Sequence, residues 1–341
     1  MRAVVYERYG GPEVLHLAEV ATPKVKDDEV LIAVRATTVT SGDTRARALR
    51  VPRGLGLLSR LALGVFKPRK KILGMELSGV VAAVGARVTR FAVGTPVFAM
   101  TPSYTGCYAE YRAFAESGPL AAMPANTAFE EAAALCFGGT TALDFFRQGE
   151  LAAGDRLLIN GASGAVGTAA IQLAKHRGAH VTAVCSAANA ELVRSLGADE
   201  VIDYTREDFT GNGAAYDVIM DTVGTAPWSR SKGSLRAGGR LLLVIGGLPD
   251  MLGALVVNAT TDKKVVVGTA RIRPDDVRHL AELAAAGVYR PVIDRRYPLE
   301  RIADAHAYVD AGHKRGNVVI VVAGDPATSE RAAEPARRAE R

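Results

Sequence analysis

The sequence predicts an α/β protein in which a β-barrel or sandwich precedes a doubly wound parallel sheet. The first ~120 residues hold short runs of β-branched residues closed by Gly and Pro, which is typical of many short strands. From Pro124 onward, apolar strands alternate with helical stretches, the pattern of a doubly wound sheet. The length of 341 residues suits about two domains.

The composition is that of a soluble protein with a sizeable core. Hydrophobic residues make up 48% of the chain. No apolar run approaches the roughly 20 residues that a membrane helix needs. The opening "MRAVVYERYG" lacks the apolar core of a signal peptide. We therefore expect a cytoplasmic protein without a membrane partner.

Part of the net charge of +6 lies in two basic runs, "RARALRVPR" (residues 45–53) and "KPRKK" (residues 67–71). Such runs form either a solvated face or a rim that attracts an anion, such as a phosphorylated cofactor. No stacking aromatics are interleaved with the charges, so a nucleic-acid partner is not expected. The surrounding segment, residues 41–71, is long and basic and contains Gly and Pro. It is expected to shape the mouth of a cleft as a lid, a partner surface or an ordered coil.

The strands of the first region are predicted from "EVLIAVRATTV" (residues 29–39), "SGVVAAVGARV" (78–88) and "GTPVFAM" (94–100). A helix follows in "PANTAFEEAAALCF", where Asn126 or Thr127 is the expected N-cap. The strands of the parallel sheet are predicted at "DRLLIN", "HVTAVC", "EVID", "YDVIMD", "GRLLLVI" and "KKVVVG".

The last predicted strand, in "RGNVVIVV", has no obvious place in the parallel sheet, so we assign it to the first region. The expected division is a first domain over residues 1–125 and a second over 126–269, with a return to the first over 270–324. Residues 325–341 are polar and contain Pro, and they are expected to be disordered.

The stretch "LLINGASGAVGTAAIQLAKHRG" (residues 157–178) leaves an apolar strand through three glycines and then enters a helix. Backbone N–H groups in such a turn, together with the helix dipole, form an anion site. A tight turn without a ligand is the alternative, but a strand before it and a helix after it favour a dinucleotide site. The residues expected to contact the cofactor are Gly161, Ala162, Ser163, Gly164, Ala165, Val166 and Gly167.

The end of the second parallel strand predicts which dinucleotide binds. A site for NAD usually places Asp or Glu there to bind the ribose 2′-hydroxyl. This strand instead ends with Cys185 and Ser186, and a serine can donate to a 2′-phosphate that a carboxylate would repel. We therefore expect NADP(H). Arg194, Tyr204 and Arg206 are further candidates to bind the phosphate.

Four motifs in order resemble the medium-chain dehydrogenase/reductase superfamily, in its zinc-independent quinone oxidoreductase and enoyl reductase branch. They are "GMELSGVVAAVGARVTRFAVGTPVF" (residues 74–98), "LCFGGTTAL" (135–143), the glycine turn with its helix, and "LGADEVIDYTREDF" (196–209). The resemblance covers about residues 2–322. It implies a GroES-like β-barrel domain, a Rossmann NADP-binding domain, an active site in the cleft between them and a last strand that returns to the barrel.

The same resemblance assigns further residues to the cofactor. It implies that Asn317 stands where the family usually has a lysine near the cofactor. It also implies a homodimer, in which "KKVVVGTA" pairs with its copy across a dyad. The residues that would lie beside the nicotinamide and its ribose are Thr140, Ile245, Gly246, Gly247 and Thr269.

Zinc is not expected. The zinc-dependent relatives use Cys, His and Cys, whereas the matching positions here hold Thr40 and Ser41, then Met75, then Phe137. Cys136 lies one residue from the last position. A catalytic zinc needs three protein ligands, so a zinc-dependent alcohol dehydrogenase is the less favoured reading. Cys107, Cys136 and Cys185 also form no CxxC pair, so a disulfide framework or a structural zinc is not indicated.

The expected reaction is hydride transfer from NADPH to a quinone or an α,β-unsaturated carbonyl. Tyr104, Thr40, Ser41 and Asp43 are the candidates for a proton donor or a hydrogen-bond donor at the carbonyl. Tyr104 could instead be a loop aromatic, Asp43 could orient the loop backbone, and water could protonate a reduced quinone. The alternative function is an NADPH-binding sensor or partner-binding protein with little turnover.

Overall fold

The computed structural model describes residues 1–101 and 105–322. Tyr104 and the tail predicted to be disordered, residues 325–341, lie outside the described residues. None of the described helices combines the length and the apolar composition that crossing a bilayer requires.

The first region alternates strands with two short helices. Its elements are β1 (Arg2–Val5), β2 (His16–Glu19), β3 (Glu29–Val39), α1 (Ser41–Ala48), α2 (Gly56–Leu63), β4 (Glu76–Val84), β5 (Pro96–Met100), β6 (Tyr111–Ala115) and β7 (Leu120–Ala122). The segment 41–71, whose structure the sequence left open, therefore forms two helices.

The middle of the chain alternates helix and strand. Its elements are α3 (Phe129–Ala133), α4 (Cys136–Gln148), β8 (Arg156–Asn160), α5 (Ala165–His176), β9 (His180–Cys185), α6 (Ala190–Ser195), β10 (Glu200–Asp203), β11 (Tyr216–Asp221), α7 (Trp228–Ser231), β12 (Leu235–Leu243), α8 (Leu248–Thr260) and β13 (Lys264–Val267). The last elements are α9 (Pro274–Ala285), β14 (Ile293–Pro298), α10 (Ile302–Asp310) and β15 (Asn317–Val321).

The middle strands form one parallel sheet in the order β10-β9-β8-β11-β12-β13. Both of its faces are covered, which explains the continuous apolar runs in these strands. On one face, α4, α5 and α9 contribute Leu143, Ile171 and Leu280 to the largest core cluster. This arrangement confirms the predicted α/β fold class with a doubly wound sheet.

A second sheet has the order β14-β15-β3-β4-β5-β7, with β6 also paired to β3. The long β3 serves two partners on one side, since Glu29–Ala33 face β6 and Ala36–Val39 face β15. Alternate β3 residues such as Val30, Ile32 and Val34 are buried in the core of this sheet. The last strand of the chain thus lies beside β3, about 280 residues away in sequence.

The helix after Pro124 begins later than expected. Neither Asn126 nor Thr127 is its N-cap: the cap is Ala128, whose N–H donates to the Glu131 carboxylate at 3.1 Å. The Asn126 amide instead donates to backbone carbonyls at the end of α9, and the Thr127 hydroxyl donates to the carbonyl of Pro124. The predicted cap was therefore wrong, because both polar side chains serve other contacts.

Candidate functional site

A cavity of about 620 Å³ lies where the order of the parallel strands reverses, between β8 and β11. Asn160 and Gly161 line it at the end of β8, and Thr222 and Val223 line it after β11. Residues of the first region contribute to the wall, including Ser41 of α1. Ligands of doubly wound sheets bind in the crevice at such a reversal, so this cavity is the candidate site.

The three glycines between β8 and α5 have different local surroundings. Gly161 has a φ of +82°, which disfavours a side chain. Gly164 lines the cavity, and a Cβ added there would meet no protein atom closer than 3.6 Å. A Cβ on Gly167 would lie 2.6 Å from the backbone of Ala162, because the helix packs directly on the turn. In a dinucleotide-binding turn, one glycine allows the tight turn, one lets the backbone approach the pyrophosphate and one lets the helix pack closely on the strand.

The first turn of α5 faces the cavity. Ser163, Ala165 and Val166 line it, whereas Ala162 is fully buried behind the turn. The first N–H groups of a helix have no acceptor within the helix, and the dipole adds partial positive charge. The residues present therefore fit the pyrophosphate of a dinucleotide.

Ser186, Asn189 and Tyr204 line the cavity beyond β9. The amide nitrogen of Asn189 donates to Ser163 Oγ at 3.2 Å and to Ser186 Oγ at 3.3 Å, so it joins the turn to the end of β9. Its Oδ1 is buried and has no hydrogen-bond partner in the described part of the chain. This oxygen is thus available to accept from a ligand hydroxyl.

The arginines proposed from sequence are not part of this wall. Arg194 and Arg206 do not line the cavity, but Arg230 at α7 does. The Arg230 guanidinium lies 3.0 Å from the Asp208 carboxylate and donates to the carbonyl of Thr225 at 2.7 Å. Sequence reasoning missed it because it follows β11 rather than β9.

Cationic side chains outnumber carboxylates among the described residues of the wall. Arg45, Arg230 and Lys314 line the cavity, together with one carboxylate, Glu207. A cavity with this balance attracts anions.

The segment before β15 touches the glycine turn. The N–H of Gly316 donates to the carbonyl of Ser163 at 2.8 Å. Lys314 lines the cavity and donates to the carbonyl of Gly316, and burial lowers the pKa of its ammonium to about 8. Asn317 does not line the cavity, because its amide is buried and donates to the carbonyl of Val292 at 3.0 Å. A lysine therefore reaches the cavity three residues before the position that the family resemblance indicated.

Among the proposed catalytic residues, Ser41 lines the cavity. Thr40 and Asp43 are buried and form the capping box of α1: the Asp43 carboxylate accepts from the N–H of Thr40 at 2.9 Å and from its hydroxyl at 2.7 Å. It also accepts from the N–H of Gly74 at 3.0 Å. Burial raises the pKa of Asp43 to about 6. The fourth candidate, Tyr104, lies outside the described residues.

A buried chain of hydrogen bonds fixes α1 against α10. Arg47 donates to His306 Nδ1 at 3.0 Å, and the other ring nitrogen lies 3.2 Å from the Tyr108 hydroxyl. Burial raises the pKa of the Tyr108 hydroxyl well above its ordinary value, and the charge of the Asp43 carboxylate adds to this shift. Arg47 also pairs with Asp310. Burial lowers the pKa of His306 to about 3, so this histidine is neutral and links the groups without adding charge.

The positions that the resemblance matched to zinc ligands hold other side chains, and two of them, Thr40 and Met75, are in contact. The Thr40 hydroxyl lies 3.4 Å from Met75 Sδ, and the N–H of Phe137 donates to the Glu76 carboxylate at 2.6 Å. Burial raises the pKa of Glu76 to about 7. Cys136 is buried in the core. Within residues 1–101 and 105–322, no group of three His, Cys, Asp or Glu could hold a metal ion.

Of the residues that the resemblance placed near the nicotinamide, Ile245 lines the cavity. Thr140 is fully buried, and its hydroxyl donates to a carbonyl of its own helix at 2.8 Å. Gly246 and Gly247 pack against neighbouring elements where α8 begins, and Thr269 is exposed. The structure therefore brings one of these five residues to the cavity wall.

Two protein families match parts of the chain. The family described as alcohol dehydrogenase GroES-like domain matches residues 26–125, and the family described as zinc-binding dehydrogenase matches residues 196–320. They correspond to the sheet built around β3 and to the second half of the parallel sheet with the segment after it.

Three similar proteins extend these matches over nearly the whole chain. The chloroplastic NADPH-dependent alkenal/one oxidoreductase of Arabidopsis thaliana is 32% identical, over 94% of this chain and 79% of its own. A chloroplastic quinone-oxidoreductase homolog of Spinacia oleracea is 33% identical, over 94% and 98%. The structure of the quinone oxidoreductase from Coxiella burnetii superposes with a TM-score of 0.83 at 28% identity, over 95% and 99%.

The fold and the matches define a class of two-domain protein that joins a GroES-like domain to a Rossmann-type sheet. The chain belongs to the medium-chain dehydrogenase/reductase superfamily, in its quinone-oxidoreductase-like branch. The family resemblance drawn from the sequence motifs is thereby confirmed.

Proposed function

We propose that this protein is an NADPH-dependent, zinc-independent reductase of quinones or α,β-unsaturated carbonyls that works in the cavity between the two sheets. The observation that carries the proposal is the glycine turn. Its open approach at Gly164 and the first turn of α5 face a cavity with a net cationic wall. The relative from Arabidopsis is named for NADPH-dependent reduction of alkenals and alkenones, and that from spinach for quinones.

The proposed binding mode follows the chemistry of the wall. N–H groups at the start of α5 and the Lys314 ammonium would bind the phosphates of the cofactor. Ser186 and Tyr204 would donate hydroxyl groups to the 2′-phosphate, and Asn189 Oδ1 would accept from a ribose hydroxyl. Ser186 follows β9 directly, where an NAD site usually places an acid. Because a serine replaces that acid, we infer a preference for NADPH over NADH.

The bound cofactor supplies the hydride, and the protein orients it and excludes water. Ser41 lines the cavity, so its hydroxyl would donate to the carbonyl oxygen of the acceptor. Thr40 and Asp43 would position Ser41 by holding the first turn of α1. A Thr, a Met and a Phe at the positions of the relatives' zinc ligands support a reaction without zinc.

The proposal is tested by following the absorbance of reduced nicotinamide with NADPH and NADH in parallel, against a panel of quinones and 2-alkenals. We expect consumption with NADPH and much slower consumption with NADH. Folded protein that binds NADPH and consumes none would overturn the reductase and support the sensor instead. Stoichiometric zinc in metal-supplemented protein, with turnover that depends on it, would restore the alcohol dehydrogenase reading.

We also propose a homodimer through the edge of the parallel sheet. β13 ends the strand order, and the adjacent α8 exposes Leu252, Leu255 and Val256. A second copy pairing with β13 would cover both features. Light scattering should give twice the mass of one chain, and a monomer at working concentration would contradict the proposal.

A further inference from the structure

The helix α2 turns its apolar side to solvent. Leu57, Leu58 and Leu61 are exposed to 73%, 60% and 50%. They share one face, because residues one and four apart lie within about 100° around a helix. The half-buried residues Ser59 and Leu63 lie on the other side, and no residue of α2 is fully buried. Globular helices normally present the opposite arrangement.

The turn after α2 adds Phe66, the most exposed aromatic side chain among the described residues. The N–H of Arg69 donates to the carbonyl of Leu63 at 2.8 Å, so the chain folds back on the helix end. Gly64 has a φ of +127°, and its carbonyl accepts from the Tyr9 hydroxyl at 2.8 Å. Phe66 stands at the tip of this turn with 94% of its surface exposed.

The same segment has a strongly one-sided charge. Residues 44–75 contain nine Arg and Lys and no Asp or Glu, whereas the net charge of the whole chain is only +6. Arg47 and Arg50 pair with Asp310, and Lys71 pairs with Glu7. Exposed cations without a carboxylate within 4.0 Å in the described structure are Arg53, Arg60, Lys67, Arg69 and Lys70.

We propose that α2 and the turn after it, residues 56–71, form a docking surface for an anionic lipid bilayer. The exposed leucines and Phe66 would enter the boundary between headgroups and acyl chains, while the unpaired cations would meet anionic headgroups. An amphipathic helix with apolar residues on one side and Lys and Arg around it binds in this way without crossing the membrane. The expectation of no membrane partner rested on the lack of a spanning segment, which this mode does not need.

Charge complementarity favours a bilayer over a second copy of the chain. Two copies meeting at residues 56–71 would oppose two sets of unpaired cations, which repel. Nucleic acid would satisfy the cations but would leave the exposed leucines without an apolar partner. An anionic bilayer satisfies both parts of the surface.

The segment just before the docking surface contacts the chain that leads from the cavity wall into α8. The carbonyl of Arg53 accepts from the N–H of Leu248 at 2.9 Å, three residues after Ile245 on the cavity wall. A docked protein would therefore hold the cavity near the bilayer. The proposal itself does not depend on the reductase activity, since lipid binding is measured without cofactor or acceptor.

The test is co-sedimentation of the full-length protein with vesicles of phosphatidylcholine that contain 40 mol% phosphatidylglycerol. We expect binding at about 0.1 M salt, and loss of binding both in pure phosphatidylcholine vesicles and at about 0.5 M salt. No sedimentation with the anionic vesicles, from protein shown to be folded, would overturn the proposal.

Variants separate the two parts of the surface. Lys67→Ala with Lys70→Ala should weaken vesicle binding about 30-fold, from about fivefold for each basic residue. Phe66→Ser should weaken it about tenfold. Matched controls elsewhere are Lys24→Ala with Lys232→Ala, and Val93→Ser, all at exposed positions, and these should leave binding unchanged.

Three outcomes would count against a lipid surface. Equal losses in Lys24→Ala with Lys232→Ala would show adsorption by net charge alone and overturn the proposal. A halved mass of Phe66→Ser in light scattering, with unchanged vesicle binding, would assign the face to a second copy. Preferential retention on an anionic nucleic acid, with no binding to anionic vesicles, would assign it to that polymer.

Discussion

The helices α5 and α2 are both apolar, yet they are used in opposite ways. α5 buries nine of its 12 residues between the parallel sheet and α4, whereas α2 buries none of its eight. α5 begins where a strand of the sheet ends, so the sheet itself gives it a surface to cover. α2 follows the basic end of α1 and has no sheet beneath its leucines. Apolar composition alone therefore does not show whether a helix is buried in the core or exposed for docking. What separates α5 from α2 is that only α5 follows an element with a surface for it to cover.

The difference in burial between α5 and α2 is tested most directly by the same truncation in both helices. Leu173→Ala in α5 removes a side chain that is 1% exposed, so the free energy of unfolding should fall by about 2–5 kcal/mol. Leu61→Ala in α2 removes one that is 50% exposed, so it should change by less than about 0.5 kcal/mol. Urea denaturation followed by circular dichroism measures both. Equal losses would mean that α2 packs on the body of the protein after all.

A second pair compares the glycines at the two helix starts. Gly167→Ala places a Cβ 2.6 Å from the backbone of Ala162, so we expect a loss of about 1–3 kcal/mol and weaker NADPH binding. Gly56→Ala meets nothing within 4 Å, so its better helix propensity should raise stability by up to about 1 kcal/mol. Calorimetric melting of the two variants decides the matter. A neutral Gly167→Ala would contradict the tight packing of α5 on the turn.

The third test compares a cation beside α5 with one beside α2. Lys314→Met should weaken NADPH binding about tenfold at pH 7, since a charge-assisted hydrogen bond to phosphate is worth about 1.5–3 kcal/mol. Lys70→Met, at an exposed position away from the cavity, should leave the Kd for NADPH unchanged. Isothermal titration calorimetry measures both, and an unchanged Kd for Lys314→Met would remove this lysine from the proposed site.

The same lysine predicts a pH dependence of stability. Its pKa is about 8 in the folded protein against 10.5 for an ordinary lysine, so the folded state binds fewer protons between these values. Lys314→Met should therefore raise the melting temperature at pH 7, where most of the Lys314 side chain is charged in the folded protein. This gain should shrink as the pH rises from 8 towards 10.5, because the wild-type protein becomes more stable over that interval. A gain that is constant with pH would contradict the shifted pKa.

Much of the parallel sheet could be read from the sequence. The runs "HVTAVC", "EVID" and "YDVIMD" coincide with β9, β10 and β11, because buried parallel strands are continuous apolar runs between glycines and turns. The helices α1 and α2 could not be read, since the apolar face of α2 points to solvent and contradicts the usual pattern. The N-cap at Ala128 was equally hidden, because alanine has no capping side chain and its backbone N–H instead donates to the Glu131 carboxylate.

The candidate site was predictable where function depends on local chain geometry. The spacing of the three glycines predicted a dinucleotide-binding turn, and in the structure each glycine has the surroundings that its role in such a turn requires. Lys314 and Arg230 were missed because they reach the cavity through tertiary structure: one before a strand that returns to the other sheet, the other after β11. The sequence did contain one signal for Lys314, because this lysine lies between Gly312 and Gly316 directly before that strand.

The pairing of β15 with β3 also determines how late during synthesis one edge of β3 can be covered. Val39 and Val318 are partners in the sheet, so about 280 residues must be made before this edge of β3 is covered. At 5–20 residues per second, the ribosome takes roughly 15–60 seconds over that interval. Throughout it, residues 36–39 lack the β15 partner at one edge of β3, although β4 can already pair with the other edge. The first region of the chain to emerge is thus the last to be completed, and until then this edge of β3 presents unpaired N–H and C=O groups to other chains.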